Sequence, residues 1–393
     1  MSAGWTNIAF LKDDALIQPA KDLIVNPGGP GGSGVNYVRN GRAKLRKTFG
    51  PLYNIIGFDP RAVNNSGPHL DYYKCMGKPI KKIHWLEQTW CKNSLANGDA
   101  KYTGTVAVAQ DLLNFIELRN EEQGKPGEVA KLTFYGASYG TTIGTTFAAM
   151  YPDRIDRMIL DAVMDGAKYY KAESDSLASD SLDVLTHFAP MCFGAGPERC
   201  VFHGGNKTAA EIQARIEAIF TRLSEHEILA SGIAPPYAME AQDLSYVMFM
   251  AAYRPLASFP TLAEVLVELE NGEGRKLLEV ELKDSQILED QAGDQGQGAM
   301  IQCLDPALAW SKKRLGPRKD SMPFAPIQEM LRGQKATCDN RSILPPPSQQ
   351  FLGGCVAVSD QSRLTRIGFT ETKTSFPILF VGTSADPVTP IRG

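Results

Sequence analysis

Five short apolar runs do most to limit the fold: DLIVN (22–26), YNIIGFD (53–59), KLTFYG (131–136), RMILDAV (157–163) and FPILFVG (376–382). None shows the polar alternation of a half-exposed strand, so each reads as a parallel strand buried on both faces. Parallel strands need crossovers, and helical spacing supplies them. Residues 102–124 lie between the second and third runs and end on a glycine, and SYGTTIGTTFAAMYPDR follows the third. Strands alternating with helices predict an α/β fold with a mostly parallel sheet flanked by helices.

Beyond Gly166 the strand series stops, and it resumes only at Phe376. The stretch between carries helical patterns at 208–227 and 259–274, broken by GIAPPYAME and SILPPPSQQ. The expected organisation is a core over 1–165, a mainly helical cap inserted over 166–374, and a second part of the core over 375–393.

Composition excludes several classes of function. A formal net charge of −3 leaves no basic footprint for nucleic acid. No apolar run approaches the roughly 20 residues of a membrane span. The N-terminal stretch MSAGWTNIAFLKDDALIQPA lacks the charged-then-apolar pattern of a signal peptide. Seven cysteines never form C-x-x-C and histidines number five, so neither a metal nor a cofactor is expected. Cys75/Cys91 and Cys192/Cys200 are spaced for local disulfides, and Asn64, Asn206 and Asn340 head N-x-[ST] sequons. Both features lean toward an oxidising, extracellular compartment. Oligomeric state leaves no signal.

The chemistry concentrates in two loops. Gly136-Ala137-Ser138-Tyr139-Gly140 fits G-x-S-x-G directly after a strand and before a helix. That context is a nucleophile elbow, which presents Ser138 Oγ at a helix N-terminus and lets the Tyr139 N–H face a developing oxyanion. The stretch NPGGPGGSG (26–34) follows the first strand. It lacks the spacing of either phosphate-binding glycine motif, so it reads as a second oxyanion donor with Gly29 as the donating amide.

Taken in order, VNPGGPGGSG, FDPRAVNNSGP, YGASYGT and ILFVGTSADPVTP resemble the tripeptidyl-aminopeptidase-like branch of the α/β-hydrolases, which is related to prolyl iminopeptidases. LYNIIGFDPR and MIQCLD fall where that family has similar segments, so the resemblance covers most of the chain. It implies a serine exopeptidase that releases short peptides or residues from free N-termini beneath a helical cap, in a family whose members are usually exported. It makes Asp386 the triad acid. It also suggests that cap carboxylates, Asp305 and Glu240 among them, receive a substrate's α-ammonium.

Two departures from the family stand out. Its D-P-R-G-x-G is here Asp59-Pro60-Arg61-Ala62-Val63-Asn64, without the two glycines. The triad histidine of such enzymes follows the acid, and no histidine follows Asp386 in this sequence. The expectation is therefore a chain shortened at both ends, with an unpaired cysteine whose partner lies in a missing end. His69, after the DPR loop, is the one stand-in whose position fits. His84, His187, His203 and His226 lie in cap or connector segments. Three functions follow: a peptidase acting through an acyl-enzyme on Ser138; an esterase, lactonase or thioesterase using the same machinery; or a non-catalytic remnant that binds a ligand in the cap cleft.

Overall fold

The structure is a computed structural model that describes residues 6–68, 103–170, 186–232, 237–292, 301, 305, 373–382 and 389. Its strands are β1 (Phe10–Asp13), β2 (Lys21–Asn26), β3 (Tyr53–Phe58), β4 (Leu132–Ala137), β5 (Ile155–Asp161), β6 (Ile228–Ala230), β7 (Tyr237–Met239) and β8 (Ile378–Val381). Its helices are α1 (Gly34–Phe49), α2 (Thr105–Glu122), α3 (Tyr139–Met150), α4 (Gly166–Tyr170), α5 (Phe188–Ala195), α6 (Ala209–Glu225), α7 (Ala241–Ala252), α8 (Pro255–Glu270) and α9 (Arg275–Ala292). The described residues divide into two compact units. The first holds residues 6–68, 103–170, 289–292, 301, 305 and 373–382, and the second holds 186–232, 237–288 and 389.

The first unit is a six-stranded sheet in the order β1-β3-β2-β4-β5-β8, with every pairing parallel except β1 against β3. All five apolar runs are strands of this sheet. The antiparallel β1 went unread because FLKD is only four residues long and its leading Phe10 is half exposed. Successive side chains of a strand face opposite ways, and β2 divides its residues accordingly. Leu23 and Val25 pack with Val38 and Leu45 of α1 on one face. On the other, Ile24 joins Leu112 and Ile116 of α2 and Ile143 and Phe147 of α3.

This topology already marks where chemistry can occur. From β2 the chain goes to β3 on one side and later to β4 on the other, so the strand order reverses between β2 and β4. In open α/β sheets, ligands bind beyond the strand carboxyl ends at such a reversal, where two diverging connections leave a crevice. The carboxyl ends of β2 and β4 carry the glycine-rich loop and Ser138.

The second unit is built from α5 to α8 and residues 275–288 of α9 around one apolar core, to which the antiparallel β6/β7 pair adds Ile228, Ala230 and Met239. Phe188, Phe202, Ile216, Leu244, Leu266 and Leu277 are among its buried residues. Cys192 and Cys200 form a disulfide with a Cα–Cα distance of 5.3 Å, as their spacing suggested. Cys75 and Cys91 lie outside the described residues. No helix among the described residues is long and apolar enough to cross a membrane, and none of their side chains groups as a metal site.

Candidate active site

Ser138 stands between β4 and α3 with φ +52° and ψ −124°. A side chain at positive φ crowds its own backbone, so such a residue persists only where its surroundings over-determine it. The Ser138 N–H donates to Asp161 O at 2.9 Å, tying the elbow to β5. Thr141 donates to Ser138 O twice, from its N–H at 2.8 Å and its hydroxyl at 2.6 Å. That hydroxyl also accepts from Met164 N at 3.0 Å. Two glycines make the turn sterically possible. A Cβ on Gly136 would lie 2.4 Å from Gly140 O, and one on Gly140 would lie 2.8 Å from Asn26 O. Ser138 is partly exposed, and its Oγ makes no hydrogen bond among the described residues.

The glycine-rich loop closes on this turn. A Cβ on Gly28 would fall 2.5 Å from Ala137 O, 2.9 Å from Ser138 Cβ and 3.0 Å from Tyr139 N, so the loop backbone lies directly against the elbow. Asn26 Oδ1 holds the loop by accepting from Gly28 N at 2.9 Å. Gly29 is exposed at φ +116°, and among the described residues its N–H donates to nothing. Tyr139 is the first residue of α3, where no partner within the helix exists for the N–H. An anion at this point would meet Tyr139's amide and the positive end of the α3 dipole.

The DPR loop braces the glycine-rich loop from behind. Asp59 is fully buried and accepts from Ser33 Oγ at 2.6 Å, Val35 N at 3.1 Å and Asn64 Nδ2 at 3.1 Å. It thereby joins the end of the glycine-rich loop, the first turn of α1 and its own loop. The residues standing where the family has glycine, Ala62 and Asn64, both keep the left-handed conformation, at φ +59° and +48°. Asn64 tolerates it readily and uses its side chain on Ser33 and Asp59. Ala62 has no such compensation. Arg61 reaches Asp111 of α2 through Nε and Nη2 and forks onto both carboxylate oxygens. Burial pushes the Asp111 carboxyl up, and the Arg61 hydrogen bond and charge oppose it.

Asp305 belongs to the sheet unit, with its carboxylate taken up inside it. Only 3% exposed, it accepts from Thr105 N at 2.8 Å, from Thr105 Oγ1 at 2.5 Å and from Tyr169 OH at 2.8 Å. It caps the N-terminus of α2, where Gly104 offers no side chain. Burial pushes its carboxyl up to about 6 despite the three bonds. Thr105 Oγ1 also lies 2.5 Å from Tyr139 OH, and the Tyr139 ring is 1% exposed. Burial holds the Tyr139 and Tyr169 phenols well above their usual range, so both remain neutral donors.

The structure thus brings together Ser138, Tyr139 and the glycine-rich loop bearing Gly29. Asp386 lies outside the described residues, as do His69 and His84. Glu240, in the second unit, occupies the N-cap of α7: its side chain accepts from the Asp243 backbone and its own N–H donates to Asp243 Oδ2 at 2.7 Å. His187 and His226 cap α5 and α6, and His203 is buried with its ring stacked on Phe193. Two sequon asparagines already use their amides internally, Asn64 as above and Asn206 on His203 O.

A family model described as the alpha/beta hydrolase fold matches residues 22–183. The serine protease Hip1 of Mycobacterium tuberculosis (strain ATCC 25618 / H37Rv) is 25% identical over 98% of this chain and 73% of its own length. The tripeptidyl aminopeptidase of Streptomyces lividans is 30% identical over 39% of this chain and 31% of its own. A solved probable hydrolytic enzyme from Pseudomonas aeruginosa PAO1 overlaps 78% of this chain and 65% of its own at 13% identity and a TM-score of 0.31, too low to carry an argument. The chain carries the α/β-hydrolase fold and is similar, at modest identity, to a serine protease and to a tripeptidyl aminopeptidase.

Proposed function

We propose that the protein cleaves peptides from their free N-termini, releasing short peptides or single residues through an acyl-enzyme on Ser138. Ser138 Oγ attacks the scissile carbonyl carbon while its proton passes to a base, and the carbonyl oxygen becomes an oxyanion between the Gly29 and Tyr139 amides. Collapse of that intermediate breaks the C–N bond, and the base returns the proton to the leaving amine. Water then attacks the ester, frees the acid and restores Ser138. Asp386 stands where the acid that orients the base belongs; in the chain order of this fold that base is a histidine after the acid, and this sequence shows none after Asp386. The reading rests on one observation above all: a strained, partly exposed serine at a strand–helix junction, with a glycine-rich backbone packed against it. The peptide rather than ester assignment draws on the names of the relatives, a serine protease and a tripeptidyl aminopeptidase.

The test supplies the base in solution as imidazole and compares aminoacyl and tripeptidyl anilides with their N-blocked forms and with a plain acyl ester. Release from unblocked anilides that vanishes in Ser138→Ala supports the proposal. Turnover of the ester alone makes the protein an esterase. Equal turnover of blocked and unblocked peptides removes the exopeptidase assignment.

A further inference from the structure

We infer that Asp305 is a positioning residue for the oxyanion donor, acting through Thr105 on Tyr139, an inference that rests on Ser138 being the nucleophile. The direction of the hydrogen bonds follows from proton counting. A threonine hydroxyl has one proton, and the Asp305 carboxylate, 2.5 Å away, takes it in a charge-assisted bond. The Tyr139 phenol, 2.5 Å from the same oxygen, must then donate its own. A directed chain therefore runs from Asp305 through Thr105 to the tip of the residue whose backbone amide follows the nucleophile.

The packing makes this chain consequential. Tyr139 is fixed at both ends: its ring lies against Tyr169 with centroids 5.8 Å apart, and its backbone adjoins the strained Ser138. Thr105 is itself held rigidly, because its N–H donates to the same carboxylate at the first turn of α2. One buried carboxylate thus sets the position of α2 and of the first turn of α3 together. Those two helices pack on each other through Leu112, Ile116, Ile143 and Phe147. With the phenol released, no other polar group among the described residues holds the Tyr139 side chain down, and the positive-φ turn above it can relax toward an ordinary conformation. The amide then leaves the place where oxyanion charge develops.

The experiment measures inactivation by a fluorophosphonate with imidazole present, separating the maximal rate from the half-saturating concentration, for wild type, Asp305→Asn, Tyr139→Phe and the double variant. Each is assayed where circular dichroism shows it fully folded. Asp305→Asn is expected to lower the maximal rate about 10- to 100-fold, since misplacement by about 1 Å has effects of that size. Half-saturation should stay within about threefold, because only charge development is affected. Tyr139→Phe should do the same, and the double variant should be no slower than the worse single. Should Asp305→Asn fail to fold, Tyr139→Phe carries the test alone, since it leaves Asp305 its bonds to Thr105 and Tyr169. Wild-type rates in the folded variants overturn the inference and leave the nucleophile standing. A wild type that never reacts at Ser138 overturns both.

Discussion

Replacing Gly28 with alanine puts the contact between the glycine-rich loop and the elbow to a quantitative test. Gly28 has φ +99°, so alanine there suffers the left-handed penalty of about 1–2 kcal/mol. Its new methyl would lie 2.5, 2.9 and 3.0 Å from Ala137 O, Ser138 Cβ and Tyr139 N. Ordinary contacts of this kind fall near ~3.5 Å, so the shortfall is on the order of 0.5–1 Å at three atoms at once. The elbow cannot yield, because Asp161 and Thr141 hold Ser138 on both sides. The loop must move instead, at the usual overpacking cost of about 1–3 kcal/mol. The sum is about 2–5 kcal/mol of stability, less than most domains possess. Gly29 travels with the loop, so the rate of phosphonylation should fall about 10- to 100-fold. Gly50→Ala separates the two contributions: it shares a positive φ of +78° but meets nothing within 4 Å. It should lose about 1–2 kcal/mol in urea denaturation and keep its rate. If Gly28→Ala reacts within twofold of wild type, the loop does not serve the oxyanion and the argument fails.

Other consequences follow from single residues. Ala62→Gly relieves a left-handed alanine and should raise the urea midpoint by an amount worth about 0.5–1 kcal/mol, the penalty removed less the added backbone entropy; a lower midpoint would mean that the buried methyl matters more than its backbone. Cys192→Ser with Cys200→Ser opens a link of sequence separation 8, which loop entropy values at about 2–3 kcal/mol; unchanged denaturation would show that the helical unit does not depend on it. The Asp305 carboxyl is raised from 3.8 to about 6, so the folded chain binds that proton more tightly than the unfolded one. Its stabilising contribution is complete below about pH 3.8 and is lost as pH rises through about 6, a decline of roughly 3 kcal/mol that Asp305→Asn should lack. Parallel stability curves for the two proteins between about pH 4 and 7 would contradict that sign.

What the sequence disclosed, and what it hid, follows from the range of each interaction. The parallel strands were legible because their apolar residues run consecutively, as burial demands in β2 and β3, although Leu379, Phe380 and Val381 of β8 are exposed; the elbow was legible because its glycines are demanded within four residues of Ser138. Strand β1 was not legible, since a short edge strand needs only one partner and keeps polar residues. The positive φ of Ala62 was hidden for the opposite reason: the surrounding Asp59 network imposes a conformation that alanine does not favour. Asp305 was flagged as a carboxylate without a partner in view. Its partners, Thr105 and Tyr169, lie more than 130 residues away in sequence, and only the folded sheet unit assembles them. Glu240 looked like the same kind of residue and is a helix cap, a role its spacing to Asp243 already permitted.

Peptide mapping after fluorophosphonate treatment in the presence of imidazole tests the central claim most directly. The account predicts one adduct, on Ser138, formed by the native chain and absent from both the urea-unfolded chain and Ser138→Ala. An adduct elsewhere, or none on a chain shown to be folded, would contradict it.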